Sequence, residues 1–294
     1  MKRGKSVFVI CISALLFCGC NGPSFHGANS RPVTVILGAF DEEVKMLQNQ
    51  LADRQEQKIE RIRFTTGKLH NRNVVVAWTG MGKVSAAMTA TLAIEHFRPG
   101  EVIFTGIAGG VNPELLAGDI VIAEKTAQHD LGTLTLKGLE NEGFPNPVTG
   151  EKNPVFFPSD RRLLKLAEQA SNQVKLDKVR TSMGERSPGI MMGVVVTGDI
   201  FVASTAKCAE LREKLGADAV EMEGAAVAQI CWQERVPYLV IRSISDNADE
   251  KAIGDLDRFY KMAAKNSAAM VVRIVELLET EAPEQTGMEK NLRD

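Results

Sequence analysis

Aromatic side chains are scarce in this chain of 294 residues, which has two tryptophans and two tyrosines. Base-stacking surfaces need more of them, and the positive charge that such surfaces carry is also missing. The formal net charge is −2 and no basic stripe runs through the sequence. Nucleic acid is therefore a poor partner. Histidine is equally thin: His26, His70, His96 and His129 are scattered, and no serine–histidine or cysteine–histidine pair stands out. The five cysteines match no zinc spacing, so no metal site is expected. Gly80-Met81-Gly82-Lys83 lacks the spacing of a P-loop. Gly106 to Gly110 runs into Val111-Asn112-Pro113 instead of opening a helix, which disfavours a dinucleotide site. There is no helical repeat and no low-complexity tract away from the two ends.

The chain opens on a basic segment, Lys2, Arg3 and Lys5, followed by an apolar stretch from Ser6 to Phe17 that is too short to span a bilayer. Gly19-Cys20 then resembles the lipobox of bacterial lipoproteins. That resemblance implies cleavage before Cys20, lipidation of its thiol and attachment to a membrane through the lipid anchor. The mature protein is then exported, on a periplasmic or cell-surface face. An ordinary secretory signal with an incidental cysteine is the alternative. Residues 1–19 read as a signal peptide, 20–32 as a tether and 281–294 as a polar tail. Processing removes Cys11 and Cys18. Cys208 and Cys231 fall in expected helices among apolar neighbours, as buried free thiols do.

Strand and helix patterns alternate over 33–280. Val33 to Leu37 is a continuous apolar run stopped by Gly38, as a buried strand would be. Strands are expected at Ile59–Thr66, Asn73–Thr79, Glu101–Thr105, Asp119–Ala123, Gly193–Thr197, Ala219–Glu221 and Tyr238–Ile241. Helices are expected at Glu42–Leu51, Lys83–Phe97, Ser159–Val174, Ser204–Leu215, Ala225–Gln233 and Asp255–Glu279. The expected fold is a single α/β domain with a central twisted mixed sheet flanked by helices. Gln128–Pro158 and Arg180–Pro188 read as surface excursions.

In open α/β sheets, ligands gather beyond the carboxyl ends of the strands. Three acidic clusters fall there: Asp41-Glu42-Glu43, Glu221-Met222-Glu223, and Asp246 in Arg242-Ser243-Ile244-Ser245-Asp246. Carboxylates in the first turn of a helix also suit its dipole, which explains Asp41 and Glu42 without any function. Glu223 sits between an apolar strand and Gly224-Ala225-Ala226, where a carboxylate is rarely left without a partner. Asp246 could cap a turn, and Arg242 could pair with Glu223 or Asp246.

Five segments carry a family resemblance. Ile36 to Val44, Thr105 to Gly110, Gly198 to Val202, Val220 to Glu223 and Arg242 to Asp246 are similar, in this order, to the 5′-methylthioadenosine/S-adenosylhomocysteine nucleosidases of the nucleoside phosphorylase/hydrolase superfamily. The resemblance implies hydrolysis of the N-glycosidic bond between adenine and a 5′-thio-substituted ribose, with no cofactor and with a homodimeric assembly. It implies that Asp246 is the acid at the purine N7 and Glu43 the water-activating base, and that Glu223 binds the ribose. It also implies that Met222 packs on the sugar, Phe201 stacks on the purine, and Val202 contacts adenine through its backbone. Ala108 and Gly109 belong to the substrate-binding loop, while Ser245 and Arg242 support Asp246 and the Glu43 region.

Two positions depart from the family. Ile107 stands where nucleosidases commonly carry a serine near the water or anion site, which disfavours phosphate binding. Leu256 stands where some members place a phenylalanine near the 5′-thio group. Two other functions compete with hydrolysis on this sequence: a purine nucleoside phosphorylase on the same fold, and an anchored nucleoside-binding lipoprotein without turnover.

Overall fold

The computed structural model describes residues 32–181 and 184–281. The signal peptide with Cys20, the tether except Pro32, and the tail beyond Glu281 lie outside the described residues. In chain order the elements are β1 (Thr34–Gly38), α1 (Asp41–Gln48), β2 (Ala52–Ile59), β3 (Ile62–Leu69), β4 (Arg72–Trp78), α2 (Lys83–Phe97), β5 (Glu101–Gly110), β6 (Ile120–Gln128), β7 (Gly132–Thr135) and β8 (Gly138–Asn141). There follow β9 (Phe156–Pro158), α3 (Arg161–Ser171), β10 (Val179–Thr181), β11 (Gly184–Arg186), β12 (Ile190–Thr197), α4 (Thr205–Leu215), β13 (Ala219–Glu221), α5 (Gly224–Glu234), β14 (Tyr238–Asp246) and α6 (Ala252–Thr280).

The apolar runs become strands covered on both faces, because successive side chains of a strand point to opposite sides. Val35, Leu37, Val75, Ala77, Val102 and Phe104 enter one core cluster with Ala86, Ala90 and Ala93 of α2 and Val227 and Ala228 of α5. Ile36, Val74, Val76 and Ile103 enter the other with Val44 and Leu47 of α1, Leu163 and Leu166 of α3, and Val271, Ile274 and Val275 of α6. The main sheet is mixed and runs β13-β12-β6-β14-β5-β1-β4-β3-β2, with β9 on the edge of β6. β13 also pairs antiparallel with β5, Val220 facing Gly109, so β5, β14, β6, β12 and β13 close into a ring. At the amino ends of β1 and β5, Thr34, Arg72 and Arg162 all converge on the buried Glu101. The carboxyl ends of the same strands carry the candidate site.

The expected α/β architecture is thus present, with local corrections. The strand expected at Ile59–Thr66 crosses a hairpin: Ile59 pairs with Ile62 around Glu60 and Arg61, both at positive φ, as a two-residue turn requires. β2 had no apolar signal because it is an edge strand with both faces largely in water. Gly106 to Gly110 is strand, not loop, held between β14 and β13. β14 likewise continues through Arg242 to Asp246. The Gln128–Pro158 excursion contains the β7–β8 hairpin and β9, and Arg180–Pro188 contains the end of the β10–β11 hairpin.

Candidate active site

Glu43 is the third residue of α1, one turn beyond β1, and only 1% exposed. It is therefore not a solvated helix-start residue, unlike Asp41, which pairs with Lys45, and Glu42, which accepts the Tyr260 hydroxyl. Glu43 Oε2 accepts the amides of Ala39 (2.7 Å) and Phe40 (2.9 Å), two backbone donors just ahead of α1. Oε1 accepts Ile107 N at 3.1 Å. Burial pushes the carboxyl up to about 7, against the opposing pull of Arg242 and of these amides. The Ile107 contact uses the backbone, so it does not depend on the side chain that departs from the family.

Arg242 pairs with neither of the acids expected. Its Nη2 lies 2.5 Å and its Nε 3.2 Å from Glu221 Oε2, and its guanidinium stacks 4.3 Å from the Phe104 ring centroid. Glu221 also accepts the amides of Glu223 (3.0 Å) and Gly224 (2.8 Å) and the Thr197 hydroxyl, so it closes the amino end of α5. A Cβ on Gly106 would stand 2.8 Å from both Arg242 Nη1 and Glu43 Oε1. That position is therefore a gap which lets the arginine and the base approach from opposite sides of the strand.

Glu223, the residue before α5, accepts the Gly82 amide on its Oε1 at 2.8 Å. Burial, together with the negative charge of Glu221, raises its carboxyl to about 8. Asp246 ends β14. Its Oδ2 accepts from Ser245 Oγ at 2.7 Å and its Oδ1 from Ala248 N at 2.8 Å. Burial holds its pKa above the ordinary carboxylate value, against those two hydrogen bonds. Ser245 Oγ also lies 3.3 Å from the Ala108 carbonyl, which ties β14 to β5 beside the acid. Gly109 must be bare, because a Cβ there would lie 2.8 Å from the Ala248 Cβ and 3.0 Å from Asp246 Oδ1.

These residues surround a cavity of about 190 Å³. Ala108, Gly109, Phe201, Val202, Met222, Glu223, Ser245 and Asp246 line it, as do the two departing residues, Ile107 and Leu256. Glu43 and Arg242 stand behind that lining, with Glu43 held by the amides of the lining residues Phe40 and Ile107. The sequence reading missed Phe40, Met81, Ile200 and Val220 as lining residues, and Glu221 as the partner of Arg242. The missed apolar residues come from four separate connections or strands, and nothing in their local pattern marks them. No lysine, arginine or histidine is among the lining residues, whereas Glu221, Glu223 and Asp246 are. A larger and more open cleft of about 520 Å³ lies beside Trp232 and Tyr238. It gathers no buried carboxylate pair, and its Asp160 is used as the cap of α3.

The arrangement suits acid–base chemistry on an uncharged ligand. Two carboxyl groups are raised to near neutrality, a third is raised by burial, and the walls are largely apolar. Among the described residues no cluster of metal-binding side chains is present. The chain matches the model of the phosphorylase superfamily over residues 33–276. It is 37% identical over 250 residues to the 5′-methylthioadenosine/S-adenosylhomocysteine nucleosidase of Mycobacterium tuberculosis, covering 84% of this chain and 98% of that one. The nucleosidase of Neisseria meningitidis, solved with methylthio-immucillin-A, superposes with a TM-score of 0.72 at 34% identity, covering 84% of this chain and 100% of that one. The futalosine hydrolase of Helicobacter pylori superposes with a TM-score of 0.71 at 32% identity, covering 84% and 98%.

Proposed function

The chain belongs to the 5′-methylthioadenosine/S-adenosylhomocysteine nucleosidase family of the phosphorylase superfamily, and on that premise we propose that it hydrolyses the N-glycosidic bond of these two nucleosides, releasing adenine and the 5-thio-substituted ribose. The observation that carries hydrolysis over phosphorolysis is the cavity's lining, which has carboxylates and no cation to receive phosphate. An anchored binding protein without turnover would have no need of the raised carboxyl groups at Glu43, Glu223 and Asp246.

In this reading Asp246, whose pKa burial raises, donates to N7 of the purine as the glycosidic bond breaks. Phe201 and Val202 hold the base, while Met222 and Glu223 hold the ribose, whose positive charge in the transition state favours a carboxylate beside it. Glu43 accepts the proton of the attacking water. Its Oε1 carries one amide, which leaves acceptor capacity on that oxygen. Glu221 neutralises Arg242, and the two together fix β13 against β14. No cofactor enters this chemistry.

The proposal extends to assembly and placement. A homodimer is supported by α2, which buries Ala86, Ala90 and Ala93 on one side yet exposes Val84 and Met88 by 80% and 49%. Lipidation at Cys20 and membrane attachment are supported by the basic start, the short apolar run and Gly19-Cys20. Among the described residues no helix is long and apolar enough to cross a membrane. The deciding experiment is incubation with methylthioadenosine in phosphate-free buffer: free adenine is expected, and a strict requirement for phosphate would overturn hydrolysis. Cys20→Ala should abolish lipid labelling, and a labelled variant would refute the anchor. Light scattering at micromolar concentration should give a dimer, and a monomer would refute that assembly.

A further inference from the structure

Lys83, Asp130 and Asp199 do not line the cavity, yet they close a ring of polar contacts beside it. Lys83 Nζ lies 2.6 Å from Asp130 Oδ1. Asp199 N donates to Asp130 Oδ2 at 2.9 Å, and Lys83 N donates to Asp199 Oδ1 at 2.7 Å. The ring joins three segments far apart in sequence: the amino end of α2, the link from β6 to β7, and the loop from β12 to α4.

Two arms of this ring reach the site. Gly82, the residue before Lys83, gives its amide to Glu223. Asp199 is followed directly by Ile200, Phe201 and Val202, which all line the cavity. That loop is tied at its ends by Gly198 N to Glu221 O (3.1 Å) and Ser204 N to Ala248 O (2.7 Å). Between those ties, the hydrogen bonds among the described residues run through Asp199. Val202 is buried in a core cluster, which holds one end of this stretch, but Ile200 and Phe201 are 58% and 44% exposed, so packing does little to hold those two.

Surface ion pairs usually contribute little. This one is shielded, with the Lys83 and Asp130 side chains 18% and 19% exposed. Burial opposes the ionised form of Asp130, but the Lys83 and Asp199 contacts prevail and hold its carboxyl below the ordinary value. Asp199 also meets the positive end of the α2 dipole. A bond network that spans three segments and supplies this loop's hydrogen bonds between its two end ties fixes geometry more than it adds stability.

We propose that the Lys83–Asp130–Asp199 ring is a positioning device for the nucleoside, setting the Phe201–Val202 loop against the base and the Gly82 amide against Glu223. The identity of the ligand rests on the nucleosidase reading above. The test uses Asp130→Asn, Lys83→Met and the double variant in the full chain. Adenine affinity is measured by calorimetry, KM and kcat on methylthioadenosine, and Tm by thermal unfolding. Each single variant should weaken adenine binding and raise KM about tenfold, the scale of one lost charge-assisted hydrogen bond. The double variant should be no worse than the weaker single, because either change opens the same ring. Lys83→Arg should recover most of the affinity. Adenine affinity and KM within about twofold of wild type, with only Tm lowered, would reduce the ring to a structural clasp and overturn the proposal. So would single effects that multiply in the double variant. Wild-type protein that binds adenine but releases none from the nucleoside would refute the nucleosidase reading alone, since positioning is also read from adenine affinity.

Discussion

Arg242 and Glu221 form a sealed pair: Nη2 stands 2.5 Å from Oε2, with the two side chains 1% and 2% exposed. The arginine charge is thereby committed to an acid that also caps α5, and no ion pair joins it to Glu43 or Glu223. Those two acids are then governed by burial, which sets both near neutrality.

Glu221→Gln should therefore be a costly change. It leaves a buried guanidinium without its carboxylate, a loss that typically amounts to about 3–5 kcal/mol. Urea unfolding should show a lower midpoint with an unchanged slope. An unchanged midpoint would mean that the pair adds nothing to the stability of the fold.

Glu43 should set the acid limb of the pH–rate profile. It must be ionised to accept a proton from water, so kcat/KM should rise with pH through about 7, the value to which burial raises it. Glu43→Gln should lose turnover and that limb together, while calorimetric adenine binding stays near wild type. A limb that persists in Glu43→Gln would assign the titration to another group.

The same burial governs stability. Glu43 and Glu223 bind protons more tightly in the folded chain than in the unfolded one, from ordinary values near 4.5 to about 7 and about 8. Their contribution is fully present below about 4.5 and is lost as pH rises through the folded values, each acid giving up roughly 1.4 kcal/mol for every pH step of one between its unfolded and folded values. The ligand-free protein should thus melt at a falling Tm between pH 5 and pH 8. Glu43→Gln should flatten that slope. A Tm that rises over this interval would contradict the assignment of neutral buried acids.

Asp246→Asn keeps the size of the side chain and can still meet Ser245 and Ala248, but it has no acid proton to give. Turnover of methylthioadenosine should fall by about 10²–10⁴-fold with adenine binding largely preserved. Near wild-type adenine release would sink Asp246 as the acid.

The fold was legible where burial writes a pattern. Val33 to Leu37, the α2 segment and Ala219 to Glu221 are apolar runs with clear stops, and each became the element expected. β2 was illegible because an edge strand in water needs no apolar alternation. The glycine run Gly106 to Gly110 reads locally as a turn. It is strand only because β14 and β13, more than a hundred residues later, pair with it on either side. The acidic residues at Glu43, Glu223 and Asp246 were visible in the sequence as residue types at the right strand and helix ends. Their raised pKa values were not, because desolvation depends on what the rest of the chain brings around them. Tertiary structure alone decided that Arg242 meets Glu221 instead of Glu223 or Asp246. The two ends of a salt bridge carry no address, and only the closure of β13 onto β5 places Glu221 beneath the guanidinium.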